Sequence, residues 1–315
     1  MQGTVIKSTG SWYQVRLDDT GEVLQCRIVG RFRLDGKKIT NPVAVGDFVR
    51  VEREEEEGKA IIREILDRTN YVVRQSPRKQ HFLHLLAANV DQAVILMTIV
   101  QPMLKQGFID RFLLMTEPYE IPTTIVFNKA DLYEEKDLAM YAYLEDIYTS
   151  IGYGTLLVSA ETGYNLDKFK ALLQGKTSLL SGQSGVGKST LVNAIAPSRD
   201  LRTQELSDYS GKGQHTTTFA EMFDLPGGGH IIDTPGIKTL SFNNLKPIQV
   251  AHNFREFFAL TDNCKFGGSC LHRDEPKCAV KEAVEAEELS ELRYINYLTL
   301  LAEVEEQNYW ERHQM

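Results

Sequence analysis

The chain is poor in cysteine: only four occur in 315 residues, and three of them fall between Cys264 and Cys278. A disulfide framework spreads many cysteines through a short secreted chain, so this sparse cluster points to one local site in a reducing compartment. Long apolar runs are also lacking, and none approaches the ~20 residues a membrane span needs. The N-terminus, MQGTVIKSTGSWYQ, has no apolar signal-peptide core. The expected location is therefore the cytoplasm, without a membrane partner. The net charge of −8 excludes indiscriminate nucleic-acid binding but leaves room for a local basic face. Residues 1–75 carry 13 Lys+Arg against 12 Asp+Glu, whereas residues 281–315 carry 3 against 9. An RNA contact is thus not expected on the acidic tail. No internal repeat or low-complexity tract is evident.

What is present, 42% hydrophobic and 25% charged residues, suits a globular chain of two or three domains. Residues 1 to about 70 read as all-β, with the short runs GTVIKS, SWYQVRL, EVLQCRIVGRF, DFVRVE and KAIIREI separated by turn signals. Five strands in this length suit a small closed barrel, an OB-fold in the first instance and an SH3-like barrel as the competitor. Trp12, Tyr13, Arg31, Phe32 and Arg33 are candidates for base stacking and phosphate contact, or else core aromatics with solvated arginines. Cys26 reads as a small buried strand residue. Residues 71–90, with Pro77 and a basic run, read as a linker.

From Asp91 the pattern becomes an alternation of apolar strands and helices, the signature of an α/β domain with a mostly parallel sheet. Within it TSLLSGQSGVGKSTL joins an apolar strand to a helix through a phosphate-binding loop: Gly182, Gln183, Ser184, Gly185, Val186, Gly187, Lys188, Ser189 and Thr190. The glycines let backbone N–H groups turn toward phosphates, Lys188 reaches the β/γ-phosphates, and Ser189 is placed to ligate Mg²⁺. Upstream, Asn128-Lys129-Ala130-Asp131 follows a strand and matches N-K-x-D. A carboxylate at Asp131 can accept from guanine N1–H and the 2-amino group, donors that adenine does not offer together. Ser159-Ala160 ends the next strand, where a second base-contacting loop belongs. Asp233-Thr234-Pro235-Gly236 is a D-x-x-G that would bring Asp233 near Mg²⁺ and the Gly236 amide near the γ-phosphate. Of Thr216, Thr217 and Thr218, Thr217 is assigned as the second Mg²⁺ ligand.

The nucleotide is therefore GTP, with its motifs in the order base, base, phosphate, switch, switch. A circular permutation gives this order without changing the site in space. The second switch then leads directly into residues 243 onward. A glutamine is missing after D-x-x-G, where Ile237 cannot orient a water. His215 is the candidate catalytic group, as general base or water-orienting residue, against a solvated switch-loop reading. Slow unassisted hydrolysis and stimulation by a partner follow.

Cys264, Cys270, His272 and Cys278 form C-x₅-C-x-H-x₅-C, three thiolates and an imidazole that suit a closed, structural Zn²⁺ site. His252 is not needed for that set. Beyond it Val280, Val284, Leu292, Ile295, Leu298 and Val304 recur at helical spacing among glutamates, as in an amphipathic helix or helical pair. Tyr309 and Trp310 are candidate anchors at its end.

Taken together, the barrel, N-K-A-D, S-A, G-Q-S-G-V-G-K-S-T, H-T-T-T, D-T-P-G and the cysteine–histidine knuckle resemble the RsgA (YjeQ/EngC) family of circularly permuted GTPases. The resemblance covers almost the whole chain. It implies an OB-fold barrel over 1–72, a permuted GTPase domain over 73–242 and a zinc-knuckle helical domain over 243–315. It also implies a GTP hydrolase acting as a switch in late maturation of the small (30S) ribosomal subunit, stimulated by that subunit. Barrel and zinc domain would contact 16S rRNA, His215 would be catalytic, and the protein would act as a monomer. The competing reading is a nucleotide-gated RNA-binding module whose hydrolysis is incidental.

Overall fold

A computed structural model describes residues 1–28, 41–75, 83–196, 220–233 and 245–313. Arg31, Phe32 and Arg33 lie outside them. The alternating pattern of the first segment folds as β1 (Gln2–Ser8), β2 (Tyr13–Leu17), β3 (Val23–Ile28), β4 (Phe48–Arg53) and β5 (Lys59–Ile65). Their order is β1-β2-β3-β5-β4, with β4 closing back on β1 and β3 running parallel to β5. That five-stranded closed connectivity is the OB-fold. Every second residue points inward, so Val5, Val15, Leu17, Leu24, Cys26, Val49 and Ile62 make the barrel core. Tyr13 joins them at 1% exposure, its hydroxyl bonded to Asn41. It is therefore a core aromatic and not a stacking platform, because the period of two places it with Val15. Trp12, one residue earlier, is exposed.

The expected linker is instead an antiparallel hairpin, β6 (Tyr71–Gln75) with β7 (Leu83–Ala88). Val73, Leu85 and Ala88 bury themselves with Ala44, and Tyr71 packs on Tyr119. The basic run begins at Arg74, inside β6, and together with Pro77 it interrupts the apolar pattern in the sequence from which these two short strands would be read.

The central sheet contains β8 (Gln92–Met97), β9 (Thr123–Phe127), β10 (Gly154–Leu157), β11 (Thr177–Gly182), β12 (Glu221–Asp224) and β13 (His230–Asp233). The order is β10-β9-β8-β11-β13-β12, all parallel except β12. Strand β8 is buried along its whole length because both faces are covered. Ala93, Ile95 and Met97 face α1 (Gly107–Thr116) and α2 (Glu135–Ser150), while Val94 and Leu96 face α3 (Leu166–Leu173) and α4 (Lys188–Ile195). The barrel is continuous with this sheet through a β1–β12 pairing at Lys7 and Glu221, whose side chains form a 2.9 Å ion pair.

The C-terminal region adds α5 (Pro247–His252), α6 (Arg255–Phe258), α7 (Ala279–Glu285) and α8 (Glu291–His313). Phe254, Phe257, Tyr297, Leu301 and Val304 extend the same apolar cluster that covers the α1 face of the sheet. The buried stripe of α8 differs from the one expected. It runs through Arg293, Tyr297, Leu300, Leu301 and Val304, while Ile295 is 52% exposed and Leu292 and Leu298 are only partly covered. A charged residue, Arg293, sits where an apolar one was expected because Asp110 and Glu256 meet it there.

Candidate functional site

Strands β8, β9 and β10 step outward on one side of the sheet, and β11 and β13 step outward on the other. The crevice between the carboxyl ends of β8 and β11 is therefore a topological switch point, the place where open α/β sheets bind ligands. The loop 182–187 lies there. Its glycines are required by close approach: a Cβ on Gly182 would sit 2.7 Å from the Leu96 carbonyl oxygen, and one on Gly187 would sit 2.5 Å from Asn128 Nδ2. Gly187 also adopts φ +85° as it caps α4. Lys188, Ser189 and Thr190 form the first turn of that helix, whose free N–H groups favour an anion. Lys188 Nζ lies 3.0 Å from Asp233 Oδ1, so the second carboxylate motif meets the phosphate loop directly. Burial pushes the Asp233 carboxyl above its ordinary range, and the nearby Lys188 charge opposes that push.

The base motifs close the other wall. Asn128 is buried; its Nδ2 donates to the Val186 carbonyl at 2.9 Å, and its Oδ1 accepts from the Ala160 amide at 3.2 Å. One side chain thus ties the 182–187 loop to the 159–160 loop. Ser159 donates its hydroxyl to Asp131, and the Ala130 amide donates to the Val158 carbonyl. Lys129 takes φ +66°, and its ammonium donates to the Gln101 carbonyl at 2.6 Å. Asn128–Asp131, Ser159–Ala160, Gly182–Thr190 and Asp233 are therefore gathered at one sheet edge. His215, Thr217 and Gly236, with Thr216, Thr218 and Ile237, lie outside the described residues. Two contributors carry no motif: the Gln101 carbonyl, and Tyr133, whose hydroxyl bridges the Asn128 carbonyl and the Ile99 amide. No spacing rule marks either, since each of these bonds has a backbone group at one end, which carries no residue-type signal.

A second cluster gathers Cys264, Cys270, His272 and Cys278, all buried, with one ligand atom from each lying within 4.8 Å of the others. Sγ atoms of Cys264 and Cys270 lie 4.0 and 3.9 Å from that of Cys278, and His272 Nδ1 lies 3.4 Å from the latter. Tetrahedral bonds of about 2.3 Å to sulfur would space two sulfurs by about 3.8 Å, so the set fits a four-coordinate ion. Burial pushes the Cys270 thiol up to about 12, with the neighbouring thiols adding to it, and pushes His272 down toward the neutral imidazole. These are donors lacking a positive partner. His272 itself stands at φ +53°, an uncommon conformation for a non-glycine residue, which aims its ring at the thiols. Hydroxyls of Tyr294 and Tyr297 on α8 hold the carbonyls of His272 and Leu271. His252 bonds the Gly268 carbonyl and stays outside the set. The four residues can hold a metal ion.

The family model described as RsgA GTPase matches residues 65–243, and that of the RsgA N-terminal domain matches residues 2–62. A small ribosomal subunit biogenesis GTPase RsgA of Bacteroides fragilis is 48% identical over 309 residues, covering 98% of this chain and 99% of that protein. The protein of the same name from Christiangramia forsetii is 48% identical over 311 residues, 98% of each. Among solved structures, YjeQ from Thermotoga maritima is 36% identical with a TM-score of 0.75, covering 96% of this chain and 98% of its own. YloQ, a circularly permuted GTPase, is 33% identical with a TM-score of 0.71, covering 97% and 95%.

Proposed function

The chain belongs to the RsgA GTPase family, and from that premise we propose that it hydrolyses GTP to GDP and phosphate as a switch in late maturation of the small ribosomal subunit. The observation that carries the reading is Asn128, whose single side chain bonds both the phosphate loop and the 159–160 loop although the three segments are scattered in a permuted order. Asp131, steadied by Ser159, reads the guanine edge, and Ala160 and Lys129 flank the base. The 182–190 loop holds the phosphates, with Lys188 exchanging its Asp233 partner for phosphate oxygens. Ser189 and Thr217 would hold Mg²⁺, which would supply positive charge to the phosphates. Gly236 senses the γ-phosphate, and His215 orients or deprotonates the attacking water.

The metal at Cys264, Cys270, His272 and Cys278 is Zn²⁺ in a structural role, since three thiols and an imidazole leave no open position. Three domains, 1–72, 73–242 and 243–315, divide the work: barrel and knuckle contact 16S rRNA of the 30S subunit, and the subunit stimulates hydrolysis. The protein acts as a cytoplasmic monomer; among the described residues no helix is long and apolar enough to cross a membrane. Phosphate release from GTP, measured with increasing concentrations of purified small subunits, tests this reading. Stimulation supports the switch; a rate indifferent to subunits would favour a nucleotide-gated RNA-binding module instead.

A further inference from the structure

Where β8 and β9 separate to make the site, one ladder position is filled by a side chain. Asn128 N donates to the Met97 carbonyl at 2.8 Å. In a parallel ladder the next bond would run from the Ile99 amide to the Asn128 carbonyl. That bond is replaced by a hydroxyl. Ile99 N donates to Tyr133 Oη at 2.9 Å, and Tyr133 Oη donates to the Asn128 carbonyl at 2.8 Å. The strands are thus wedged apart by one oxygen atom at the point where they diverge.

The same hydroxyl closes a loop. Asn128 and Tyr133 bracket Lys129 at φ +66° and the 3₁₀ turn Ala130–Leu132, in which Leu132 N bonds the Lys129 carbonyl and Tyr133 N bonds the Ala130 carbonyl. Asp131 lies inside this bracket. A second link, from Lys129 Nζ to the Gln101 carbonyl, fastens the bracket to the 98–102 segment, which Thr98 Oγ1 braces by donating to the Pro102 carbonyl at 2.7 Å. Ser159 holds the Asp131 carboxylate from the outer side. The inner side depends on Tyr133.

We propose that Tyr133 is a positioning residue for guanine recognition, its hydroxyl setting the spacing of β8 and β9 and thereby the pose of the Asp131 carboxylate. The proposal rests on the reading of Asp131 as the guanine acceptor. Without the hydroxyl, Ile99 N–H and Asn128 C=O either lose their partner or close directly on each other, and in both cases the bracket moves. The ring packs against the sheet core, so phenylalanine preserves the apolar contacts. The Asn128 side chain also touches the phosphate loop at Val186, so the base-specific part of the effect is read as the difference between two nucleotides that share the same phosphates.

The test is equilibrium binding of GDP and of IDP, which lacks the 2-amino group, to the full chain, the Tyr133→Phe variant, Asp131→Asn and the double variant, with thermal melts alongside. The expected result is a GDP-over-IDP preference in the wild type that falls about three- to tenfold in Tyr133→Phe, the equivalent of one net hydrogen bond. In the Asp131→Asn background, Tyr133→Phe should change GDP affinity less than about twofold, because its effect runs through the missing carboxylate. Equal weakening of GDP and IDP, or full additivity with Asp131→Asn, would overturn the proposal while leaving the guanine reading intact. A wild type that binds GDP and IDP alike would remove the guanine reading itself, and the proposal with it.

Discussion

Arg293 offers a quantitative test of how the C-terminal helices are held to the nucleotide-binding sheet. Its guanidinium is 3% exposed, lies 2.6 Å from Asp110 Oδ1 and 2.8 Å from Glu256 Oε1, and sits 4.4 Å from the centre of the Phe254 ring. Burial works against the cation, but Asp110 and Glu256 outweigh it and hold its pKa well above the ordinary value. Arg293→Met keeps most of the volume and strips the charge from between two carboxylates. The two are left in different states. Asp110 retains Tyr148, Gln106 and Asn296 as donors, whereas Glu256 accepts from Arg293 alone among the described residues. Removing one partner of a buried pair costs about 3–5 kcal/mol, and the neutral donors left to Asp110 place the expected loss near the middle, about 4 kcal/mol. With a urea slope of about 1–3 kcal/mol per molar, the unfolding midpoint should fall by more than about 1 M. Urea titration followed by intrinsic fluorescence measures it. The triple variant Arg293→Met, Asp110→Asn, Glu256→Gln should recover most of the loss, because the penalty is uncompensated buried charge and not missing attraction. An unchanged midpoint in Arg293→Met, or a triple variant no more stable than the single one, would refute the reasoning.

Other expectations follow from the two sites and the barrel. Asp131→Asn should weaken GTP binding at least tenfold and admit xanthine nucleotides, as competition binding would show; unchanged GTP affinity would remove Asp131 from the base site. Lys188→Ala should abolish tight nucleotide binding in the same assay; unchanged affinity would remove Lys188 from the phosphate site. Cys270→Ser should abolish stoichiometric zinc in elemental analysis and loosen residues 264–278 to proteolysis; wild-type protein free of zinc would sink the metal assignment. Burial pushes the Tyr13 hydroxyl from its ordinary 10.0 to about 12. A raised pKa means the contribution is complete below about pH 10 and lost as the pH climbs through about 12, so alkaline melts should fall less steeply in Tyr13→Phe than in the wild type.

The nucleotide motifs were legible because each is a short local solution to a local demand. Gly187 must take a positive φ and Lys188 must follow at the helix start, needs set within the loop itself, to which the close approach of Asn128 only adds. The metal set was legible for the same reason, as four donors fall within fifteen residues. The barrel was legible through its period of two, and β8 through its unbroken apolar run. Failures came where a partner lies far along the chain. Tyr13 looked equally suited to surface or core until the closed barrel assigned it inward. The β6–β7 hairpin hid behind a basic, proline-containing connection, and α8 was turned to a neighbouring stripe because a buried arginine defies an apolar count.

The amino-acid sequence alone thus determined the GTPase family, the order of the motifs, the four residues that can hold a metal ion and the five-stranded barrel. Only the tertiary structure decided how the motifs support one another: Asn128 spanning two loops, Tyr133 filling a ladder position between β8 and β9, and Arg293 on α8 meeting Asp110 on α1 across 183 residues of chain. The physical reason is that hydrogen bonds to backbone groups and buried ion pairs depend on where two segments meet. Residue type and spacing record the needs of one segment at a time.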